Sequence, residues 1–132
     1  MESVDTISEL FLSHIESPRN SGPLESANAS AVGVGSCGDT MTVQLLVEED
    51  IISEIGCIPK GCMYTIACAS LMSELVKGKS LEAALTLQPE HLDLLLGGLP
   101  EDHQHCARLA VNSLGEAIDD YYQKNGFPQD SE

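Results

Sequence analysis

Apolar and polar residues alternate most clearly in the second quarter of the chain, which predicts β-strands there. Between residues 41 and 47 every second position is apolar, at Met41, Val43, Leu45 and Val47. A period of two is typical of a strand with one face in the core and the other toward water. The small and β-branched residues 29–34 predict a strand before it, and residues 48–50 predict a turn into a third strand at 51–57.

Spacings of three and four residues predict helices at the start, in the middle and at the end of the chain. The first helix contains the apolar residues Val4, Ile7, Leu10, Phe11 and Ile15. Ser3 or Asp5 can cap its start, and Pro18 bounds its end. A second helix is predicted at 62–76 and ends at Gly78.

Short helices at 81–87 and 89–96 are predicted next, before the Gly-Gly-Leu-Pro run of residues 97–100 breaks the chain. The longest helix starts near Glu101 and carries an apolar stripe to which Cys106 belongs. The polar residues 123–132 indicate a frayed tail. Because the chain has 132 residues and no internal repeat, a single domain spanning 1–132 is predicted.

The segment 33–38, Gly-Val-Gly-Ser-Cys-Gly, matches a dinucleotide-binding pattern. That fingerprint requires a helix to begin at its glycines, so that the helix N-terminus faces a pyrophosphate. Here a strand follows, and the dinucleotide interpretation is rejected. The glycines are instead expected to let two backbone segments approach closely and to leave the Cys37 thiol uncovered.

The composition excludes some classes of function. Six Lys and Arg against 21 Asp and Glu give a formal net charge of −15, which opposes binding to nucleic acid and favours a cation or a basic partner. The longest apolar runs fall far short of the ~20 residues that cross a bilayer, so no membrane span is predicted. Residues 1–5 do not resemble a signal peptide, and we expect a cytoplasmic protein whose five cysteines are thiols.

Three of the cysteines occupy the ends of predicted elements. Cys37 lies at a strand-strand turn, whereas Cys62 and Cys106 each lie in the first turn of a helix. The partial positive charge of a helix N-terminus is expected to lower the pKa of a thiol there and to favour the thiolate that binds metal. Cys68 points to another side of its helix and is interpreted as a core residue, and Cys57 is expected to pack on the inner face of the third strand.

Harder donors accompany these thiols. Asp39 follows Cys37 by two residues, and His103 and His105 flank Gln104 immediately before Cys106, so either imidazole could ligate a metal. Three thiolates with one oxygen or nitrogen donor are typical of a tetrahedral zinc site or of an iron-sulfur cluster. The two other histidines are interpreted as surface or half-buried residues: His14 and His91.

Several segments together resemble the IscU/NifU-type scaffolds of iron-sulfur cluster assembly. Residues 14–22 are similar to the family's opening motif H-x-x-x-P-R-N-x-G, and residues 31–44, with Cys37-Gly38-Asp39, to its first ligand loop. Gly61-Cys62 and the segment 76–81 resemble the second ligand region, and His105-Cys106-Ala107 resembles the third. The resemblance covers nearly the whole chain.

The resemblance implies an α+β fold in which helices pack on a three-stranded antiparallel sheet and the C-terminal helix is long. It implies Cys37, Cys62 and Cys106 as cluster ligands, with Asp39 and His105 as candidates for the fourth position. It also implies a scaffold rather than an enzyme. Such a scaffold accepts persulfide sulfur from a pyridoxal-phosphate cysteine desulfurase, and iron and electrons from donors such as ferredoxin, and it passes a [2Fe-2S] cluster to apo iron-sulfur proteins.

One segment departs from the family pattern. Many members carry Leu-Pro-Pro-Val-Lys, the motif that a dedicated Hsp70-type chaperone binds, where this chain has Leu99-Pro100-Glu101-Asp102-His103. The departure argues against handover by that chaperone. In this segment His103 replaces the basic residue of the motif.

Two alternative functions remain open. A second branch of the family binds zinc tightly and accepts persulfide sulfur without building clusters, but it carries a long insertion between the last two cysteines. Here Cys62 and Cys106 are 44 positions apart, the uninserted length, although zinc would readily occupy the same ligands after aerobic purification. The other alternative is an acidic, non-catalytic interaction module whose cysteines are structural.

Overall fold

The computed structural model of the protein describes residues 8–36 and 38–126. Cys37 and the two chain ends lie outside the described residues. Over these described ranges, three strands and five α-helices follow one another: α1 (Glu9–Glu16), β1 (Ala29–Val34), β2 (Thr40–Glu48), β3 (Ile51–Lys60), α2 (Met63–Val76), α3 (Leu81–Ala84), α4 (Pro89–Leu95) and α5 (Gln104–Asn125). A 3-10 turn, Glu101–His103, precedes α5.

The strands form an antiparallel sheet in the order β1-β2-β3. The alternation predicted for β2 is confirmed, since Met41, Val43, Leu45 and Val47 are buried and the positions between them are partly exposed. Glu49 and Asp50 connect β2 to β3 with φ angles of 56° and 63°, as a two-residue hairpin turn requires. The third strand is longer than predicted, because residues 58–60 continue the pairing with residues 40–42.

Helices cover one face of the sheet and form the core with it. The long helix α5 packs across β1 and β2, α2 packs on β3 and on α5, and α1 and α4 complete the layer. The buried residues of β2 meet the apolar stripe of α5, which includes the fully buried Cys106. This arrangement is the predicted α+β fold, and it places the first turns of α2 and α5 at the same end of the sheet.

The helix boundaries differ from the predictions at a few positions. Ser8 caps α1 by accepting a hydrogen bond from the amide of Phe11 at 3.0 Å, whereas the predicted caps Ser3 and Asp5 lie outside the described residues. The last helix begins after the 3-10 turn, at Gln104, and continues to Asn125, so the prediction of a frayed tail is wrong for residues 123–125. Residues 127–132 of that tail lie outside the described residues.

The prediction that His14 is a surface or half-buried residue is wrong. Its side chain is fully buried between α1 and α2, where Nδ1 hydrogen-bonds the hydroxyl of Ser70 and Nε2 lies 3.4 Å from the carboxylate of Glu74. The amide of Arg19 donates to the same hydroxyl at 2.8 Å. The opening motif therefore fastens α1 and the following loop to α2. His91 is exposed, as predicted.

Within the described ranges, no helix has both the length and the apolar character that a membrane crossing requires.

Candidate metal centre

Four of the five predicted ligands are described, and the fold brings them to one end of the sheet. Asp39 directly precedes β2, Cys62 lies between β3 and α2, and His105 and Cys106 lie in the first turn of α5. The fifth, Cys37, lies outside the described residues. A cavity of about 380 Å³ at this end is lined by Gly38, Asp39, Lys60, Gly61, Cys62, His103 and His105.

Among the described residues, the side chains at this end form two groups that could each hold a metal ion. Cys62, His103 and Cys106 form what we term the outer donor set, because Cys62 is exposed. Asp39, His105 and Cys106 form the inner donor set, in which Asp39 is buried. Within each set the ligand atoms lie within 4.8 Å of one another. Thiolate, imidazole and carboxylate are donors that zinc and iron accept.

Each imidazole lies beside a different thiol. Nδ1 of His103 is 3.7 Å from Sγ of Cys62, and Nε2 of His105 is 3.8 Å from Sγ of Cys106. The His103 ring also stacks on Tyr64, with 4.2 Å between ring centroids. Both flanking histidines named from the sequence are therefore at the site, although of the two the family resemblance implied only His105 for the fourth position.

Sequence reasoning missed Thr65, whose buried hydroxyl lies at the centre of the site. Oγ1 donates to Oδ2 of Asp39 at 2.7 Å and lies 3.4 Å from Sγ of Cys106 and 3.7 Å from Sγ of Cys62. Thr65 follows Cys62 by three residues, which is one helical turn, so that a hydroxyl at this position faces the same side as the thiol. The spacing of three residues from Cys62 is the sequence feature that could have identified Thr65.

Two glycines make room for the carboxylate of Asp39. A Cβ atom at Gly61 would lie 2.6 Å from Cβ of Asp39, and one at Gly35 would lie 2.7 Å from its Oδ1. No real Cβ tolerates such separations, so these positions require glycine for the β1-β2 loop and the β3-α2 junction to close around Asp39. Close approach was expected for the glycines of residues 33–38, and at Gly35 the group that comes close is the Asp39 side chain and not a second backbone segment.

The surroundings of Cys62 favour the thiolate form of its side chain. Cys62 is the N-cap residue of α2, so it lies where free amides point outward. Partial burial raises its pKa, but the amides of Thr65 and Tyr64, with the Thr65 hydroxyl and the Cys106 thiol close by, outweigh that effect and leave the pKa below its ordinary value. The predicted lowering by a helix N-terminus is confirmed for this cysteine.

For Cys106 the same prediction is wrong. Burial raises its pKa to about 11, the hydroxyl of Thr65 lowers it in part, and the neighbouring Cys62 and Asp39 raise it again. The side chain is fully buried, so loss of solvation outweighs the helix terminus. A metal ion that binds this sulfur must therefore displace its proton.

The remaining two cysteines do not belong to the site. Cys57 is 1% exposed on the inner face of β3, and burial raises its pKa to about 12. Cys68 is fully buried within α2, and burial raises its pKa as well. Both are core thiols, as predicted.

Comparison with known proteins gives the family. The protein-family model described as the NifU-like N terminal domain matches residues 6–127 of this chain. The iron-sulfur cluster assembly scaffold protein IscU 1 of Archaeoglobus fulgidus is 39% identical over 120 residues, which is 90% of this chain and 78% of that protein. The scaffold protein IscU of Haemophilus influenzae is 38% identical over 124 residues, or 90% of this chain and 98% of that protein. These relatives are named as scaffolds, in agreement with the expectation of a non-enzymatic protein.

Solved structures show the same fold. A putative iron-sulfur cluster assembly scaffold protein for the SUF system from Fervidobacterium islandicum superposes with a TM-score of 0.69 at 23% identity, covering 89% of this chain and 99% of that chain. A NifU-like N-terminal protein from Brucella abortus superposes with a TM-score of 0.67 at 22% identity, covering 92% and 98%. From the matching family model and the identity to the IscU proteins, this chain belongs to the NifU-like N-terminal domain family of iron-sulfur cluster assembly scaffolds.

Proposed function

We propose that this protein assembles a [2Fe-2S] cluster on Cys37, Asp39, Cys62, His105 and Cys106, using persulfide sulfur from a cysteine desulfurase, and then transfers the cluster to apo-proteins. The observation that carries the proposal is the convergence of thiol, imidazole and carboxylate donors from three separate segments at one open end of the fold. Core thiols would not need that arrangement, since Cys57 and Cys68 are accommodated without it.

Sulfur arrives by thiol-persulfide exchange. A scaffold thiolate attacks the outer sulfur of the desulfurase persulfide, a sulfur-sulfur bond forms on the scaffold, and the desulfurase cysteine leaves as a thiolate. Cys62 meets the two requirements for this attack among the described thiols, because it is exposed and its pKa is lowered. Cys106, which is buried and has a raised pKa, meets neither.

Cluster formation must also balance electrons. Each persulfide sulfur takes up two electrons to become sulfide. When two Fe(II) ions are oxidised to Fe(III), they supply two of the four electrons that two sulfurs need, and an electron donor such as ferredoxin supplies the other two. The scaffold's contribution is to hold the iron ions and the sulfur atoms at fixed donor side chains in a partly open cavity.

Release is favoured by the mixture of ligands. A cluster held by four buried thiolates would be retained, whereas Asp39 offers a harder oxygen donor that binds iron less strongly than sulfur does. Asp39 is also engaged by Thr65 at 2.7 Å, so a competing interaction for its carboxylate is already built into the site. Both features support transfer to a recipient.

The proposed partners are a desulfurase, iron and electron donors, and apo iron-sulfur proteins. Handover by an Hsp70-type chaperone is not part of the proposal. Leu99 is buried, and the exposed residues after it are Pro100, Glu101 and Asp102 in place of the Pro-Pro-Val run that the chaperone binds.

Anaerobic reconstitution with Fe(II), cysteine, a reductant and a cysteine desulfurase tests the function. We expect the wild-type protein to develop the visible absorption of a [2Fe-2S] cluster and to pass it to an apo-ferredoxin. Cys62→Ser and Cys106→Ser should each abolish stable cluster binding, because each removes a ligand. Cys68→Ala serves as the matched control, since it removes a thiol from the core and none from the site.

Three results would count against the proposal. Wild-type protein that binds zinc and accepts sulfur, yet forms no cluster under these conditions, would favour the zinc-bound persulfide acceptor. Loss of the cluster in Cys68→Ala, with retention in Cys62→Ser, would refute the site assignment. If alkylation of all accessible thiols left every partner interaction unchanged, the acidic interaction module would be favoured instead.

A further inference from the structure

The histidine that replaces the family's basic residue lies directly at the metal centre. His103 ends the 3-10 turn before α5, and its Nδ1 is 3.7 Å from Sγ of Cys62. His105 lies two residues further on, with 6.2 Å between the two ring centroids, and pairs instead with Cys106. The imidazoles of His103 and His105 therefore lie beside two different thiols.

The separation between His103 and Cys62 is that of two ligands on one ion. Zinc lies about 2.3 Å from sulfur and about 2.0 Å from nitrogen, so two such ligands at a tetrahedral angle are about 3.5 Å apart. The observed 3.7 Å is close to this value, and so is the 3.8 Å between His105 and Cys106. Each pair can accept an ion with only small movements of its side chains.

From this geometry we propose that His103 is a metal ligand, and that the outer donor set of Cys62, His103 and Cys106 binds a divalent cation of the zinc or ferrous type separately from the inner donor set. Cys106 belongs to both sets. A cation in the outer set is nearer to solvent, because Cys62 is exposed whereas Asp39 is buried. The outer donor set therefore binds an incoming cation first. Because the sulfur of Cys106 belongs to both sets, the cation can move to the inner donor set while it stays bound to this sulfur.

Aromatic packing fixes the imidazole of His103 in place. The ring stacks on Tyr64, which in turn lies 5.3 Å from Phe11, measured between ring centroids. Tyr64 follows Cys62 by two residues, so the start of α2 supplies both the thiol and the surface on which the imidazole rests. A lysine at position 103 would place an ammonium group, which donates hydrogen bonds but does not ligate, beside the same thiol.

This inference deepens the proposed function and depends on it for the purpose of the captured ion, but it is tested with a metal alone. Co²⁺ is titrated anaerobically into wild-type protein, His105→Ala, His103→Phe and the double variant. Charge-transfer absorption reports thiolate ligation, and hyperfine-shifted proton resonances of the imidazole report bound histidine. His103→Phe preserves an aromatic ring on Tyr64 and removes both nitrogen donors, and circular dichroism verifies folding.

We expect His105→Ala to bind Co²⁺ with one imidazole still in the coordination sphere. The double variant should lose that imidazole signal and bind at least about tenfold more weakly than His105→Ala. His91→Ala, which changes an exposed histidine on α4, should match the wild type.

The inference is overturned if His105→Ala shows no bound imidazole, or if His103→Phe changes neither the affinity nor the spectrum in either background. Wild-type protein that fails to bind Co²⁺ at all would overturn it too. None of these outcomes depends on cluster assembly. Failure of the proposed function would appear separately, as wild-type protein that captures the metal but builds no cluster with iron and the desulfurase.

Discussion

At the residue scale, the hydroxyl of Thr65 lies between the donor groups of the candidate metal centre. Thr65 has one proton to donate, and it donates it to Asp39 while lying within 3.4 Å and 3.7 Å of the two thiol sulfurs. Because the hydroxyl can rotate, it can also donate to a thiolate when a metal ion takes up the carboxylate. Thr65 is therefore interpreted as a positioning residue that orients ligands without being one.

Thr65→Val tests this interpretation, since valine keeps the shape of the side chain and removes the hydroxyl. A hydrogen bond to a charged group contributes about 1.5–3 kcal/mol, so we expect the metal-free variant to lose a free energy of unfolding of that order. Thr65→Ser, which keeps the hydroxyl and removes a methyl group, should lose clearly less. Urea-induced unfolding of both variants measures the difference.

A double variant that combines Thr65→Val with Asp39→Ala tests whether Asp39 is the group through which the Thr65 hydroxyl acts. If Thr65 acts through Asp39, Thr65→Val should cost much less stability in the Asp39→Ala background than in the wild type. A Thr65→Val variant that is as stable as the wild type, or more stable than Thr65→Ser, would contradict the role assigned to the hydroxyl.

At the scale of elements, a buried polar cluster holds α1 to α2, in addition to the apolar contact between Phe11 and Tyr64. His14 and the amide of Arg19 both bind the hydroxyl of Ser70, and Asn20 donates to Ser73 at 3.0 Å. Burial lowers the pKa of His14, the charge of Arg19 lowers it further, and Glu74 raises it in part. The neutral imidazole is thus the form that the folded protein accommodates.

Acid should therefore weaken this contact. A histidine whose pKa is lowered by folding contributes stability that is complete above the unfolded pKa of about 6.5 and is lost as the pH falls from there toward the folded pKa. We expect the free energy of unfolding of the wild type to decrease from pH 7.5 to pH 5.5 relative to that of His14→Gln. Taking the difference between the two proteins removes the contributions of the carboxylates, which are common to both.

His91→Gln is the matched control, because it makes the same change at an exposed histidine on α4, outside the buried cluster, and glutamine can still accept the hydrogen bond that His91 accepts from the amide of Gln88. This variant should keep the pH dependence that the His14 cluster gives the wild type. The same pH dependence in His14→Gln and the wild type would contradict the role assigned to His14. Unfolding in urea at the two pH values, monitored by far-ultraviolet circular dichroism, measures all three proteins.

Periodicity located most elements because it reflects burial directly, but it could not supply contacts between distant segments. β1 begins and ends where predicted, and the alternation in β2 gave its buried face. The end of β3 was missed because Pro59 argues against a strand, yet β3 is an edge strand, where a missing amide is tolerated. The burial of His14 depends on Ser70, 56 residues away, and no local pattern contains that information.

The site was predictable to a similar degree. Sequence spacing and the family resemblance found Asp39, Cys62, His105 and Cys106, and the fold brings these together. The hydroxyl of Thr65 and the stacking of His103 on Tyr64 depend on how α2 and the 3-10 turn meet in space. The raised pKa of Cys106 likewise follows from burial in the core, and not from its place in the helix.

For the molecule as a whole, a net charge of −15 sets the balance between repulsion and attraction. Among the described residues, the Lys and Arg ion pairs are few and partly exposed: Arg19–Glu74, Lys77–Glu54 and Lys124–Asp120. Exposed pairs of this kind contribute about 0–1 kcal/mol each, whereas the excess of acidic groups repels throughout the compact state. Screening should therefore remove more repulsion than attraction.

We accordingly expect the free energy of unfolding to rise when the NaCl concentration increases from about 0.01 M to about 0.1 M, which shortens the Debye length from about 30 Å to about 10 Å.

Glu116 and Asp119 give a local version of the test, because both are exposed on α5 at a spacing of three residues, where like charges repel each other. The variant with Glu116→Gln and Asp119→Asn should be more stable than the wild type at the lower salt concentration, by about 0.2–0.5 kcal/mol, and this advantage should shrink at the higher one. Lys77→Gln, which removes a cation from an already acidic protein, should change stability in the opposite direction. Urea unfolding of the three proteins at both salt concentrations measures these effects, and a wild type that becomes less stable with added salt would show that its few ion pairs outweigh the repulsion.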